Sequence, residues 1–223
     1  RYSSADKQNR EFLSLGGNYD KFSFSLSGNY RKSDEYEAPA GSFGNITLDE
    51  DSTVSDTGVE DYGFNLQLDY RTSKNSHVKF KYEMYHAENA GFGFVDPDLY
   101  DPGAARIRIQ YPMQKVNKFS LKYEHRKMDF LLADHFSLTG YRTNNRRDLS
   151  MDIFASFGIP HMPQAGISIQ SENYTDITTY GFRLEFNKGL SNHSITYGID
   201  FYNDGTENTD SMTQTVVGFG PPR

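Results

Sequence analysis

From Phe22 the chain reads Phe, Ser, Phe, Ser, Leu, Ser, Gly, Asn, Tyr, Arg, a strict alternation of apolar or small residues with polar ones. The pattern returns with Tyr62, Phe64, Leu66, Leu68 and Tyr70, offset from Gly63, Asn65, Gln67 and Asp69. It returns again with Val78, Phe80, Tyr82 and Met84; with Phe119, Leu121 and Tyr123; with Tyr180, Phe182, Leu184 and Phe186; and with Ile195, Tyr197, Ile199 and Phe201. Successive side chains of a strand point to opposite faces, so a period of two gives each segment one apolar and one polar face. No stretch carries a 3.6-residue stripe. The chain is expected to be all-β.

Eight strands are expected, at roughly 11–19, 21–32, 61–72, 77–87, 117–126, 134–146, 176–187 and 192–203. Most run well beyond the five or six residues usual in soluble proteins. At about 3.3 Å per residue and about 45° tilt, such a strand covers about 25 Å of height, the apolar band of a transmembrane barrel. The connections alternate too. Those around residues 19–21, 72–76, 127–134 and 188–191 are short, whereas 33–60, 88–116 and 147–175 approach 30 residues and hold most of the prolines and half of the acids. Short turns at one end and long loops at the other are the rhythm of an outer-membrane barrel.

Composition closes off other classes. With 23 basic and 30 acidic residues the net charge is −7, which argues against a broad nucleic-acid-binding face. There is no cysteine, so disulfides, thiolate zinc sites and cysteine nucleophiles are excluded. No apolar run reaches the ~18–20 residues of a spanning helix. Yet 17 Phe and 16 Tyr stand in the chain, more than a disordered sequence carries.

If the short turns face the periplasm, strand one runs inward, strand eight runs outward, and both ends of the chain lie outside. A small closed barrel has the opposite arrangement. Residues 1–10 are polar rather than a signal peptide, and 216–223 read as loop, with no closing aromatic strand. Residues 1–223 are therefore read as part of one wider barrel. The competing architecture is a secreted β-sandwich binding module, in which the apolar faces would meet one another.

The stretch Asn18-Tyr19-Asp20-Lys21-Phe22 through Tyr36, followed by Ala38-Pro39, resembles an early barrel hairpin of TonB-dependent outer-membrane receptors. So do Ile109-Gln110-Tyr111-Pro112, Phe119 to Glu124 and Tyr180 to Glu185. The resemblance covers most of the chain as degenerate strand patterns. It implies about eight strands of an antiparallel, 22-stranded transmembrane barrel whose lumen is filled by a plug, the plug itself being absent here. It also implies a place in the bacterial outer membrane, contact with its lipid, and import of an iron chelate (siderophore or haem) with energy from the TonB complex through the missing plug. A passive porin, or an adhesin or anchor barrel, would share the wall without the import.

No catalytic motif is present: neither Gly-x-Ser-x-Gly, nor a Walker sequence, nor paired metal-binding histidines. The chain is read as a non-enzyme with no cofactor of its own. An Asp49-Glu50-Asp51 cluster and Asp96, Asp98 and Asp101 before Gly103 fail the EF-hand pattern and leave only a looser calcium site open. For an anionic ferric chelate, the candidates are Arg106, Arg108, Arg142, Arg146 and Arg147, since guanidinium pairs with oxyanions by charge and forked hydrogen bonds. Tyr36, Tyr100 and Tyr174 are candidates to stack on a flat ligand. His161, beside Met162, is the candidate haem ligand.

Overall fold

The computed structural model describes residues 2–3, 6–44, 46–101, 105–159, 161–162 and 165–218. The chain is all-β. Eight long strands form one antiparallel sheet in chain order: β1 (Asn9–Tyr19), β2 (Phe22–Ser33), β7 (Val59–Arg71), β8 (Ser76–Gly91), β9 (Arg106–Phe130), β10 (Ala133–Ser156), β11 (Gly166–Leu190) and β12 (His193–Val217). Four short strands lie between β2 and β7. Of these, β3 (Tyr36–Ala38) pairs with β6 (Ser52–Val54), and β4 (Gly41–Phe43) pairs with β5 (Ile46–Leu48).

Directly paired residues share a face, so the register sorts the side chains into rows running across the sheet. One row is Phe24, Leu68, Phe80, Leu121, Gly140, Phe182 and Phe201; the next toward the short turns is Phe22, Tyr70, Val78, Tyr123, Leu138, Leu184 and Ile199. The row interleaved on the opposite face is Ser23, Asp69, Lys79, Lys122, Thr139, Arg183 and Asp200. That face holds cross-strand pairs, Arg31 with Asp61, Lys118 with Glu83, His77 with Glu124 and Arg183 with Asp200, and along β9 Lys122 also pairs with Glu124. At the pair Tyr141–Gly181 on this face, the tyrosine ring lies across the space where a Cβ at Gly181 would project.

Nothing among the described residues covers the apolar face. Phe24 is 36 % exposed, Phe182 44 % and Tyr197 42 %, and no large side chain among the described residues is fully buried. The sandwich arrangement, with these rings meeting in a sealed centre, is not what forms. The rings instead make a lateral mosaic: Phe136 stacks on Phe186, and Phe186 on Tyr197.

The band is bounded along the strands. Along β11 this face reads Phe186, Leu184, Phe182, Tyr180 and then Thr178 and Asp176; along β10 it reads Phe136, Leu138, Gly140 and then Arg142, Asn144 and Arg146. Beyond that level this face is mostly polar, apolar residues reappear on the opposite face (Ile107 and Ile109, Met151 and Ile153, Ile167 and Ile169), and pairing continues.

Here the structure departs from the sequence expectation. Strands β9 to β12 are 24–25 residues long rather than 10–13, so most of what reads as loop at 106–116, 147–156 and 166–175 is strand. Val216 and Val217, read as loop, pair with Ile167 and Gly166; residues 219–223 lie outside the described residues. The stretch 33–60, expected as open loop, contains the two small hairpins. A register shift opposite Asp148–Ser150 absorbs Pro112, which has no N–H to give to a ladder.

The alternation of connections persists with shorter members. Residues 20–21, 72–75, 131–132 and 191–192 link strands at one end, and 34–58, 92–105 and 157–165 link them at the other. Asp20 and Ser191 take positive φ (48° and 50°) within the two-residue turns.

Candidate functional site

The long connections gather at one end, and there the chain buries the largest of its covered apolar side chains among the described residues. Leu48 and Val54, on the small hairpins, are 4 % and 7 % exposed. The loop 34–58 is held down by Asp56, itself 7 % exposed and in a left-handed conformation (φ 63°). Arg108 grips its carboxylate with both arms, Nε to Oδ2 at 2.6 Å and Nη2 to Oδ1 at 2.7 Å, and the Gln110 amide donates to Oδ1. Its backbone N–H donates to Glu35 Oε1 at 2.7 Å. The backbone at Gly91 passes so close to Asp56 that a side chain there would collide with it. One residue earlier, Ser55 and Phe94 exchange both backbone hydrogen bonds at 2.8 Å, joining the first long loop to the second. The Arg108 guanidinium holds the Asp56 carboxyl below the usual carboxylate range, and Asp56 in turn raises Arg108.

Arg106 is occupied in the same way. It pairs with Asp98, approaches Asp96 at 3.5 Å, and lies over the Phe154 ring at 5.5 Å. Asp96 caps a short 3₁₀ turn at Pro97–Leu99, and Tyr100 closes it with its backbone N–H on Pro97 O at 3.0 Å. Tyr36 stands on β3, its ring exposed and its backbone N–H donating to Thr57 Oγ1 at 3.1 Å. His161 lies exposed in the β10–β11 connection with φ 62°, and Met162 N–H bonds Ile159 O at 3.0 Å.

The remaining arginines are divided between the faces. Arg142 and Arg146 share the face of the apolar rows, lying over the rings of Tyr180 (5.3 Å) and Tyr174 (4.7 Å). Arg147 is on the opposite face, its guanidinium 5.7 Å from the centre of the Tyr111 ring. The nine residues selected from sequence therefore do not converge on one point. Tyr36 and Tyr100 belong to the two coupled loops, Arg106 and Arg108 hold those loops from the start of β9, and Arg142, Arg146 and Tyr174 belong to the β10–β11 wall.

Three arrangements escaped the sequence reading. Nothing in the sequence around Asp56 signals its anchoring role. On the polar face a recess of about 530 Å³ is lined by Lys79, Lys81, Lys118, Lys122, Arg183 and Tyr141. The signal available for it was Lys79 and Lys81 two residues apart, sharing a face. At the short-turn end, Ser76 Oγ lies 2.6 Å from His125 Nδ1, but Ser76 is 5 % exposed and also accepts from Ser73 Oγ at 3.0 Å. That relay caps the 72–75 turn. Among the described residues no group of three or more His, Asp or Glu side chains is arranged to hold a metal ion. Asp51 instead accepts from Ala40 N–H at 2.8 Å, and Gly103, in the second acidic cluster, lies outside the described residues.

No protein-family model matches the chain, and no curated protein matches its sequence.

Proposed function

We propose that this chain is a section of the barrel wall of a TonB-dependent receptor in a bacterial outer membrane, part of an importer of an iron chelate such as a siderophore or haem. The observation that carries the reading is the uncovered apolar band backed by a charged face. From Tyr70 to Tyr62 on β7 the band spans eight residue steps, about 26 Å along a strand and about 19 Å of height at ~45° tilt. In water, a band of that size on a single sheet has no compensating contact; in hydrocarbon it needs none. The sheet also ends in two edge strands, β1 and β12, whose outer ladders are unpaired within the described residues. In a bilayer every backbone amide must find a partner, which only closure into a complete barrel provides. The wider barrel, with β1 and β12 each flanked by a further strand, meets that requirement.

In this reading the ion-paired face lines a wet interior, and the coupled loops form the outer mouth where a chelate is captured. Arg106 and Arg108 hold the mouth's shape, and the exposed rings of Tyr36 and Phe92 are the surfaces offered to a flat ligand. Deleting the whole gene should abolish growth on at least one member of a panel of ferric siderophores, haem and cobalamin. Unchanged growth and unchanged radiolabelled uptake on every member would remove the importer assignment.

A further inference from the structure

Three cations stand where the apolar band ends, on the face that carries it. Across β9, β10 and β11 the last largely apolar row reads Phe119, Arg142, Tyr180; the next reads Asn117, Asn144, Thr178; the next Lys115, Arg146, Asp176. Two rows are about 13 Å along a strand, so the three cations occupy one patch. Arg142 meets the face of Tyr180 and no carboxylate among the described residues. Lys115 is exposed and has no ion pair there either. Arg146 lies on Tyr174 and reaches Asp148 at 3.3 Å. Of the other nearby acids, Asp176 accepts from Asn144 at 2.5 Å and from the Tyr174 hydroxyl at 3.3 Å, Glu88 meets His86 at 2.9 Å, and Glu207 stands one strand further out, paired in register with Asp176. Lys115 and Arg146 are directly paired across the ladder, a juxtaposition of like charge that Asp148 and Asp176 offset at Arg146 but that leaves Lys115 without an ion pair among the described residues.

We infer that Arg142, Lys115 and Arg146 form a clamp for the phosphate of an anionic membrane lipid. The inference rests on the proposed membrane placement and adds a specific ligand to the wall. The level of the cations selects that ligand. A lipid whose chain lies over Phe119, Leu121 and Phe182 presents its phosphate at the first polar rows beyond them. A free anion would meet only exposed charges, screened by salt, whereas the lipid adds its chain's contact with the apolar rows. Guanidinium groups held against aromatic rings keep planar donor edges for phosphate oxygens, with little side-chain freedom left to lose.

Spin-labelled lipids measure this directly. The full-length gene product is reconstituted in phosphatidylcholine, and the motionally restricted fraction is compared for labelled phosphatidylglycerol and labelled phosphatidylcholine. The anionic label should be preferred several-fold. R142A and K115A should each reduce the preference by about fivefold or to parity, while K81A, on the opposite face, leaves it intact. Equal restriction of both labels overturns the clamp and leaves the wall standing. Restriction of neither removes the membrane placement as well. Loss of preference in K81A equal to that in R142A reduces the effect to general charge and overturns it. So does complete displacement by millimolar inorganic phosphate, which assigns the patch to a soluble anion.

Discussion

The two ends of the sheet solve the same problem by opposite means. In the band, seven or eight strands are joined by rows of Phe, Leu, Val and Tyr that stay exposed, and nothing large is buried. At the mouth, a few short segments make a small enclosed core around Leu48 and Val54, with a buried carboxylate held by a guanidinium. The second arrangement is how a segment folds when water surrounds it: apolar groups turn inward and buried charge is paired. The first has no such logic in water. Within one chain, the mouth serves as an internal control for the band, and the contrast is the strongest support for a different solvent around the band.

Placing a charge in the band should break the contrast most sharply. Leu121→Arg adds a cation to the middle of the apolar rows, at a side chain 55 % exposed. On the proposed reading, denaturant unfolding from lipid vesicles should show a loss of about 2–4 kcal/mol. A surface position in water would change by only about 0.5 kcal/mol, and a shift that small would end the distinction between the regions. Arg108→Ala tests the mouth. It leaves Asp56 sealed without its counter-charge, at a cost of about 2–3 kcal/mol. Because the band makes no contact with this pair, hydrogen exchange should rise in 34–58 and 92–105 while the amides of β7, β8 and the lower part of β9 stay protected. Loss of protection across the whole sheet would show that the mouth is not a separate unit.

Acid titration gives the smallest effect, since protonation leaves the hydrogen bonds of Asp56 partly in place. The folded pKa of Asp56 lies below its ordinary 3.8, so its contribution is complete above that value and is lost as pH falls through the lower, folded one. Exchange in 34–58 should be set by the intrinsic rate alone from pH 8 to 5, with local opening starting only below about 4. Opening at pH 6 would mean that a group other than Asp56 holds the loop.

The same division explains what could be read from the letters. In the band, side-chain alternation and strand geometry coincide, and the limits of β1, β2, β7 and most of β8 follow from it. In the upper halves of β9 to β12 the alternation lapses over a polar stretch and then resumes with the apolar residues on the other face, at Ile107 and Ile109, Met151 and Ile153, and Ile167 and Ile169. Runs such as Asn144-Asn145-Arg146-Arg147 or Asn203-Asp204-Gly205-Thr206 look like loop, although backbone pairing carries them on. The bulge at Pro112 gave a further false loop signal. The role of Asp56 was hidden for another reason: its partners are 52 and 54 residues away, and only the folded hairpins bring them together.

The reciprocal bridge between Ser55 and Phe94 has a mechanical corollary. Two connections that could each wander are clasped by a pair of main-chain bonds beside the Asp56 anchor. Whatever pulls on one drags the other, and the rim yields in a single cooperative step rather than petal by petal.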